Sequence, residues 1–311
     1  MKQLIGCVAM ALLPRGPCLA GELALGSFAE STEAPHGKGN LYAPAIVKHH
    51  GEFLMFFGGQ GKDGYDRIHL ATSPDGGKWI PQGVVLEVKG ANHVNDPSIV
   101  VVKGRLFMFY TLAMSGVSDS IALAISADGR TWEDQGVVLA PAKAPAWDSL
   151  LVGRPAVIHD KGEFRMWYDG RKDLPLGAPD PTAPQAADSH RFVGYASSGD
   201  GRNWKRHGEP VFGNDAGAVD VQQVGGQFVM VMESREGTRW ASSADGLAWQ
   251  GRGLLLKKEG EREAFGHVTP FLFRRDGAWE LYYGAAAAAS WDGNAIARAP
   301  LPHDTLRPAT K

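Results

Sequence analysis

Ser126-Ala127-Asp128-Gly129-Arg130-Thr131-Trp132 reads S-x-D-G-x-x-W, and Gly136 follows the Trp by four residues. The same phrase recurs at Ser73, Asp75, Gly76, Trp79 and Gly83, at Ser198, Asp200, Gly201, Trp204 and Gly208, and at Ser243, Asp245, Gly246, Trp249 and Gly253. Four copies without slippage mark a repeat architecture. Asp-Gly supplies turn geometry and the Trp supplies core cover, so the motif reads as scaffold rather than as a site.

Working outward, each motif sits in a longer frame. Pro44, Pro97, Pro155 and Pro270 precede Gly51, Gly104, Gly162 and Gly277 by seven residues, and Val219 stands at the same place before Gly226. β-branched and aromatic runs follow both markers, such as Phe53-Leu54-Met55-Phe56-Phe57 and Leu106-Phe107-Met108-Phe109-Tyr110. These are short strands separated by Gly or Asp-Gly turns, and Pro is tolerated at a strand start. Five units of roughly 45–70 residues fit propeller blades. The expectation is an all-β, five-bladed β-propeller with four-stranded blades. The fifth unit, ending at Ala295–Arg298, lacks a fourth strand, and Glu22–Phe28 is expected to supply it and close the ring.

Composition agrees. The 311 residues are 44% apolar with 40 glycines and a net charge of −2, so bulk electrostatics imply neither a nucleic-acid nor any other polyanion partner. Met1-Lys2, the apolar run Leu4–Leu13 and the small residues up to Ala20 read as a secretory signal over residues 1–20. Residues 21–311 then form a single domain, expected in the periplasm or outside the cell, off the membrane and monomeric. Both cysteines, Cys7 and Cys18, fall in the signal, leaving no disulfide or thiolate metal site.

The propeller frame sorts the polar residues. Residues around each Pro and those just past the second strand converge on one mouth of the ring, with the Asp-Gly turns on the other face. Before the Pro stand Ala43, Asp96, Arg154, Ala218 and Thr269, and two residues later Ala45, Ser98, Ala156, Asp220 and Phe271. Seven residues after the Gly stand Gly58, Thr111, Asp169, Glu233 and Gly284. The expected mouth therefore gathers Asp96, Asp169, Asp220 and Glu233, with Arg154 to balance them. Asn40, Tyr42, His93 and His267 lie at its rim, and Asp148 and Glu263 in the loops entering the third and fifth blades. Such a cluster suits glycoside hydrolysis, which needs one protonated and one ionised carboxyl. The bland reading is that each acid merely caps a turn or balances a charge. The long loop Arg171–His190 with four prolines, together with Trp147 and Trp291, suits an oligosaccharide cleft.

On the repeat frame and the turn motif, residues 22–301 resemble the five-bladed propellers of the arabinanase, levansucrase and invertase group, glycoside hydrolase families 43, 32, 68, 62, 117 and 130. Tyr42-Ala43-Pro44 is similar to the Trp-Ala-Pro of family 43. Asn95-Asp96-Pro97 resembles the Asn-Asp-Pro of families 32 and 68, which implies a nucleophile at Asp96. Gly266-His267 resembles an axial Gly-His, which implies a channel Ca2+ or water near His267; no cofactor is otherwise required. The sequence departs from families 43 and 32 in carrying Ala43 and Arg154 before the Pro of blades one and three. The expected assignment is catalytic Asp96 as base or nucleophile, Glu233 as acid and Asp220 tuning them. Asn40, Tyr42, His93, Asp148, Arg154, Asp169, Arg171, Glu263 and His267 bind substrate. The alternatives are a non-catalytic carbohydrate-binding propeller and a phosphorylase or transglycosylase. Phosphorolysis would want basic residues at the mouth beyond Arg154.

Overall fold

The computed structural model describes residues 21–26, 39–172, 191–213, 216–289 and 292–306. The expected signal over 1–20, the loop body 173–190 and Trp291 lie outside the described residues. After β1 (Glu22–Leu25), the chain forms five antiparallel meanders. The first is β2 (Leu41–His49), β3 (Glu52–Gln60), β4 (Asp66–Ser73) and β5 (Ile80–Leu86). The second is β6 (Ala91–Val102), β7 (Arg105–Met114), β8 (Ser120–Ser126) and β9 (Glu133–Leu139). The third is β10 (Leu151–Asp160), β11 (Glu163–Arg171), β12 (Phe192–Ser198) and the two-residue β13 (Lys205–Arg206). The fourth is β14 (Asp220–Val224), β15 (Gln227–Ser234), β16 (Gly237–Ser243) and β17 (Gln250–Lys257). The fifth is β18 (Gly266–Arg275), β19 (Ala278–Ala286) and β20 (Ala295–Leu301), and β1 pairs antiparallel to β20. The fold is all-β apart from one 3-10 turn at Glu261–Glu263 among the described residues.

Local sequence explains the hairpins. The first two strands of every meander are joined by two residues that both have positive φ: His50-Gly51, Lys103-Gly104, Lys161-Gly162, Gly225-Gly226 and Asp276-Gly277. This is the type I′ turn, whose twist matches the flanking strands and which favours Gly at its second place.

The repeated motif builds a turn from side chains. In each copy the Ser Oγ accepts the Gly N–H, at 2.9 Å in Ser73 and 2.8 Å in Ser126, and donates to the Asp. The Asp Oδ1 accepts two further N–H groups, those of Arg130 and Thr131 in the second copy. These backbone donors hold Asp75, Asp128, Asp200 and Asp245 below the usual carboxylate range. The Trp packs on the preceding meander: Trp132 lies edge-on to Phe56, Trp204 to Phe109, Trp249 to Trp167 and Trp79 to Tyr282.

Apolar clusters accordingly sit between meanders. Leu54, Phe56, Met108 and Tyr110 join the first to the second, and Phe109, Ile121, Phe164 and Met166 the second to the third. Trp167, Val193, Phe228 and Met230 join the third to the fourth, and Val229, Val231, Leu281 and Tyr283 the fourth to the fifth. Phe53, Phe57, Trp79, Tyr282 and Ile296 join the fifth to the first, with Leu25 of β1 among them. Each such side chain contributes about 1.5–3 kcal/mol of burial.

Candidate active site

The residue before each Pro, and its counterpart before Val219, adopts the left-handed conformation: Ala43, Asp96, Arg154, Ala218 and Thr269 have φ between 43 and 50°. In β2, β6, β10 and β18 the ladder register shifts at this residue, a bulge that re-aims the side chain. Left-handed non-Gly residues cost about 1–2 kcal/mol each, and such strain marks functional regions. The five left-handed residues and their followers line one pocket: Ala43-Pro44, Asp96-Pro97-Ser98, Arg154-Pro155, Ala218-Val219-Asp220 and Thr269-Pro270-Phe271. The expected convergence on one mouth is therefore observed for this set.

Two positions in the frame lace neighbouring meanders together. The side chain seven residues after the hairpin Gly accepts the N–H of the next meander's left-handed residue. Thr111 Oγ1 takes it from Arg154 at 2.8 Å, Asp169 Oδ1 from Ala218 at 2.9 Å, and Glu233 Oε2 from Thr269 at 3.3 Å. The side chain two residues after the left-handed one does likewise: Ser98 Oγ accepts from Val157 at 2.9 Å and Asp220 Oδ2 from Leu272 at 2.9 Å. Where the first of these positions is Gly58, its missing Cβ makes room for the Tyr42 ring.

This lacing changes the expected role of Glu233. Its Oε1 pairs with Arg191 and its Oε2 takes the Thr269 N–H, in a side chain 2% exposed. Arg191, fully buried, also binds Asp169 Oδ2 at 2.7 Å. Both Glu233 oxygens are engaged inside the wall, so the structure corrects the expected placement of a general acid there. Asp169 belongs to the same wall; burial would raise its proton affinity, but Arg191, Arg154 and Arg171 hold it below the usual range. Asp148 binds Tyr168 Oη at 3.0 Å and Arg206 Nε at 3.2 Å, away from the mouth. Glu263 and His267 are likewise interior. His267 Nδ1 meets Thr238 Oγ1 at 3.0 Å, its Nε2 meets Glu263 Oε2 at 3.0 Å, and its ring stacks on Tyr283. With both ring nitrogens spent, His267 does not fit a channel cation or a substrate contact. Among the described residues no group of three or more His, Cys, Asp or Glu side chains is arranged to hold a metal. Asn40 is buried behind the rim with its Oδ1 unpartnered.

The titratable groups at and beside the mouth come from the first four meanders. Asp96 is 5% exposed, its Oδ2 lies 3.9 Å from Arg154 Nε, and its Oδ1 is buried without a partner. Burial pushes its carboxyl up to about 6; Arg154 and Thr111 oppose this, and Asp169 and Asp119 add to it. Burial pushes Asp220 up to about 7 against its bonds from the Leu272 N–H and Gln222. Tyr42 donates to Asp66 Oδ2 at 2.7 Å and accepts from Asn95 Nδ2 at 2.8 Å. His93 Nδ1 lies 3.4 Å from the same Asp66 oxygen. Burial would raise Asp66, but the contact and charge of His93, the bond from Tyr42 and the charge of Arg67 hold it below the usual range. His93 is raised in turn: burial opposes this, and Asp66, Asp119 and Asp96 prevail.

Asp66, Asp119 and Arg191 are additions that the structure makes to the expected set. All stand seven residues before a motif serine (Ser73, Ser126 and Ser198), and Glu236 has the same place before Ser243. Four charged residues at one repeat position are the signal by which the sequence could have disclosed them.

No family model matches the sequence. "Uncharacterized protein MT1551" of Mycobacterium tuberculosis (strain CDC 1551 / Oshkosh) is 28% identical over 144 residues, 42% of this chain and 46% of that protein. The match thus spans about half the length of the curated relatives. A solved structure described as "Glycoside hydrolase" superposes with a TM-score of 0.70 at 22% identity, covering 95% of this chain and 94% of that one. The family 117 glycoside hydrolase Zg3597 of Zobellia galactanivorans gives 0.65 at 16% identity over 91% and 90%. A thermostable family-43 glycoside hydrolase gives 0.63 at 15% identity over 84% and 88%. The protein has the fold of the propeller glycoside hydrolases, families 117, 43 and 32 among them.

Proposed function

We propose that the protein is a glycoside hydrolase that cleaves an oligo- or polysaccharide at the Asp96 mouth. The five meanders act as blades of one ring, closed where β1 completes the fifth. Contacts between successive first strands, from β2 through β18 and back to β2, support that closure. Export by a leader over residues 1–20 to the periplasm or outside the cell suits a glycan substrate.

The observation that carries the reading is a pair of carboxyls displaced in opposite directions, Asp96 lining the pocket and Asp66 joined to its neighbour Asn95 through Tyr42. Asp96 is pushed up to about 6 and keeps a buried, unpartnered Oδ1, while Asp66 is held below the usual range. Environments that push two carboxyls apart assign acid and base. Asp96 is the general acid that protonates the leaving oxygen. Asp66, kept ionised by His93 and Tyr42, is the base or nucleophile. Tyr42 and Asn95 position Asp66, and Arg154 tunes Asp96. Asp96 thus takes the opposite role to the base or nucleophile that its Asn-Asp-Pro setting implies.

The test is a screen of aryl furanosides and pyranosides and of arabinan, fructan and xylan, with Asp96→Asn and Asp66→Asn beside the wild type. Loss of a positioned acid or base costs about 10²–10⁴-fold, and both variants are expected to lose that much. Cleavage by wild type with both variants unimpaired sinks the assignment. Glycan binding without cleavage favours a binding propeller.

A further inference from the structure

Three arginines, Arg154, Arg171 and Arg191, act on Asp169, and among the described residues one of them is left over. Asp169 gives Oδ1 to the Ala218 N–H and Oδ2 to Arg191, with Arg154 Nη1 at 3.5 Å. Glu233 gives its two oxygens to Arg191 and the Thr269 N–H. All four oxygens of the wall are engaged before Arg171 is counted.

Arg171 ends β11, two residues past Asp169 on the same strand face. It is 4% exposed, its Nε is buried without a hydrogen-bond partner, and no ion pair reaches its guanidinium among the described residues. Burial and the neighbouring charges of Arg191 and Arg154 push it down to about 9, against the pull of Asp169 and Glu233. An uncompensated buried charge is expensive, and folds keep one where something else completes it. Arg154, 27% exposed at its side chain, holds Asp169 and Asp96 only at 3.5 and 3.9 Å and has donors to spare. A guanidinium fork matches the paired oxygens of a carboxylate or phosphate.

We propose that Arg171, buried behind the Arg154 that lines the mouth, forms with it an oxyanion subsite that captures the carboxylate of an acidic sugar or a phosphate. It deepens the glycosidase reading and rests on it only for the sugar. Anion capture is measured without turnover, so absence of hydrolysis leaves the subsite standing.

The experiment is calorimetric titration of the full-length protein, in a buffer free of phosphate, with glucuronate and galacturonate, with neutral glucose and galactose, and with inorganic phosphate. At least one of the anions is expected to bind tenfold or more tighter than the neutral sugars. Arg171→Met is expected to abolish that preference and Arg171→Lys to restore part of it. Preference for a uronate marks an acidic glycan; preference for phosphate marks phosphorolysis or a phosphorylated sugar. Equal binding of acidic and neutral sugars with no phosphate binding, or an unchanged preference in Arg171→Met, overturns the proposal. Thermal unfolding gives an independent readout. Removing a charge that lacks a partner among the described residues leaves Tm unchanged or raises it, whereas a fall of several degrees in Arg171→Met makes Arg171 part of the wall and overturns the subsite.

Discussion

Asp96→Asn is expected to inactivate the protein and to stabilise it, and the two effects have one cause. The Asp96 carboxyl sits at about 6 in the folded protein, against about 3.9 in an unfolded chain. Above pH 6 the folded state must hold an ionised, buried carboxylate, and the cost is present in full. As pH falls from 6 towards 4, the folded group takes up its proton while the unfolded one stays ionised, and the cost disappears. Two units at about 1.36 kcal/mol each give about 3 kcal/mol. The substituted amide cannot pair with Arg154 as a charge, but that attraction is already contained in the value of about 6. Asparagine is isosteric with aspartate and carries no charge, so the variant escapes the cost at any pH. The variant should therefore be more stable than wild type by about 1–3 kcal/mol at pH 8 and equal to it at pH 4. Urea denaturation at the two pH values, followed by Trp fluorescence, measures this. Other groups shift both proteins alike and cancel in the difference. A variant less stable at pH 8, or a difference that does not change with pH, would show that Asp96 carries no burial cost. Stability surrendered for activity in this way is common at functional sites.

Other perturbations separate the wall from the mouth. Arg191→Met strands the buried carboxylates of Asp169 and Glu233 and should cost about 3–5 kcal/mol in the same urea experiment; a loss below about 1 kcal/mol would mean the pair is not what holds the wall. Gly217→Ala places a Cβ inside contact distance of the Arg191 guanidinium, and should cost about 1–3 kcal/mol by overpacking, with an unchanged Tm as the contrary result. Ser198→Ala removes the acceptor of the Gly201 N–H at 2.9 Å, and should cost about 1–2 kcal/mol while leaving kcat untouched; a change in kcat would give the turn a role in the site.

The scaffold is legible in the sequence because it rests on local chemistry. Type I′ hairpins and Ser-Asp-Gly turns need particular residues at fixed spacing, and these announce the strands and the frame. The frame in turn locates Ala43, Asp96, Arg154, Ala218 and Thr269 at one pocket. The direction of the neighbouring side chains is not legible, because it depends on a bulge and a left-handed residue that no propensity discloses. Asp169 and Glu233 therefore read as mouth residues and are wall residues. Arg191 belongs with them, yet it is separated from β11 by a long loop and pairs across two meanders. Order along the chain assigns His267, Glu263 and Asp148 to the rim, whereas their partners Thr238, Tyr283 and Tyr168 draw them into the interior. Asp66 and Asp119 carry a sequence signal, a charge seven residues before the motif serine, that becomes meaningful only once strand starts are known to reach the mouth.

The pH dependence of kcat/KM on whichever aryl glycoside is cleaved reads the protonation of Asp96 and Asp66 directly. The pairing of a protonated Asp96 with an ionised Asp66 requires a bell, with an alkaline limb near pH 6 and an acid limb below the ordinary carboxylate range near 4. The acid limb should vanish in the residual activity of Asp66→Asn, and the alkaline limb in that of Asp96→Asn. A rate that rises or stays flat from pH 6 to 8, or limbs that persist in both variants, would rule out this division of acid and base.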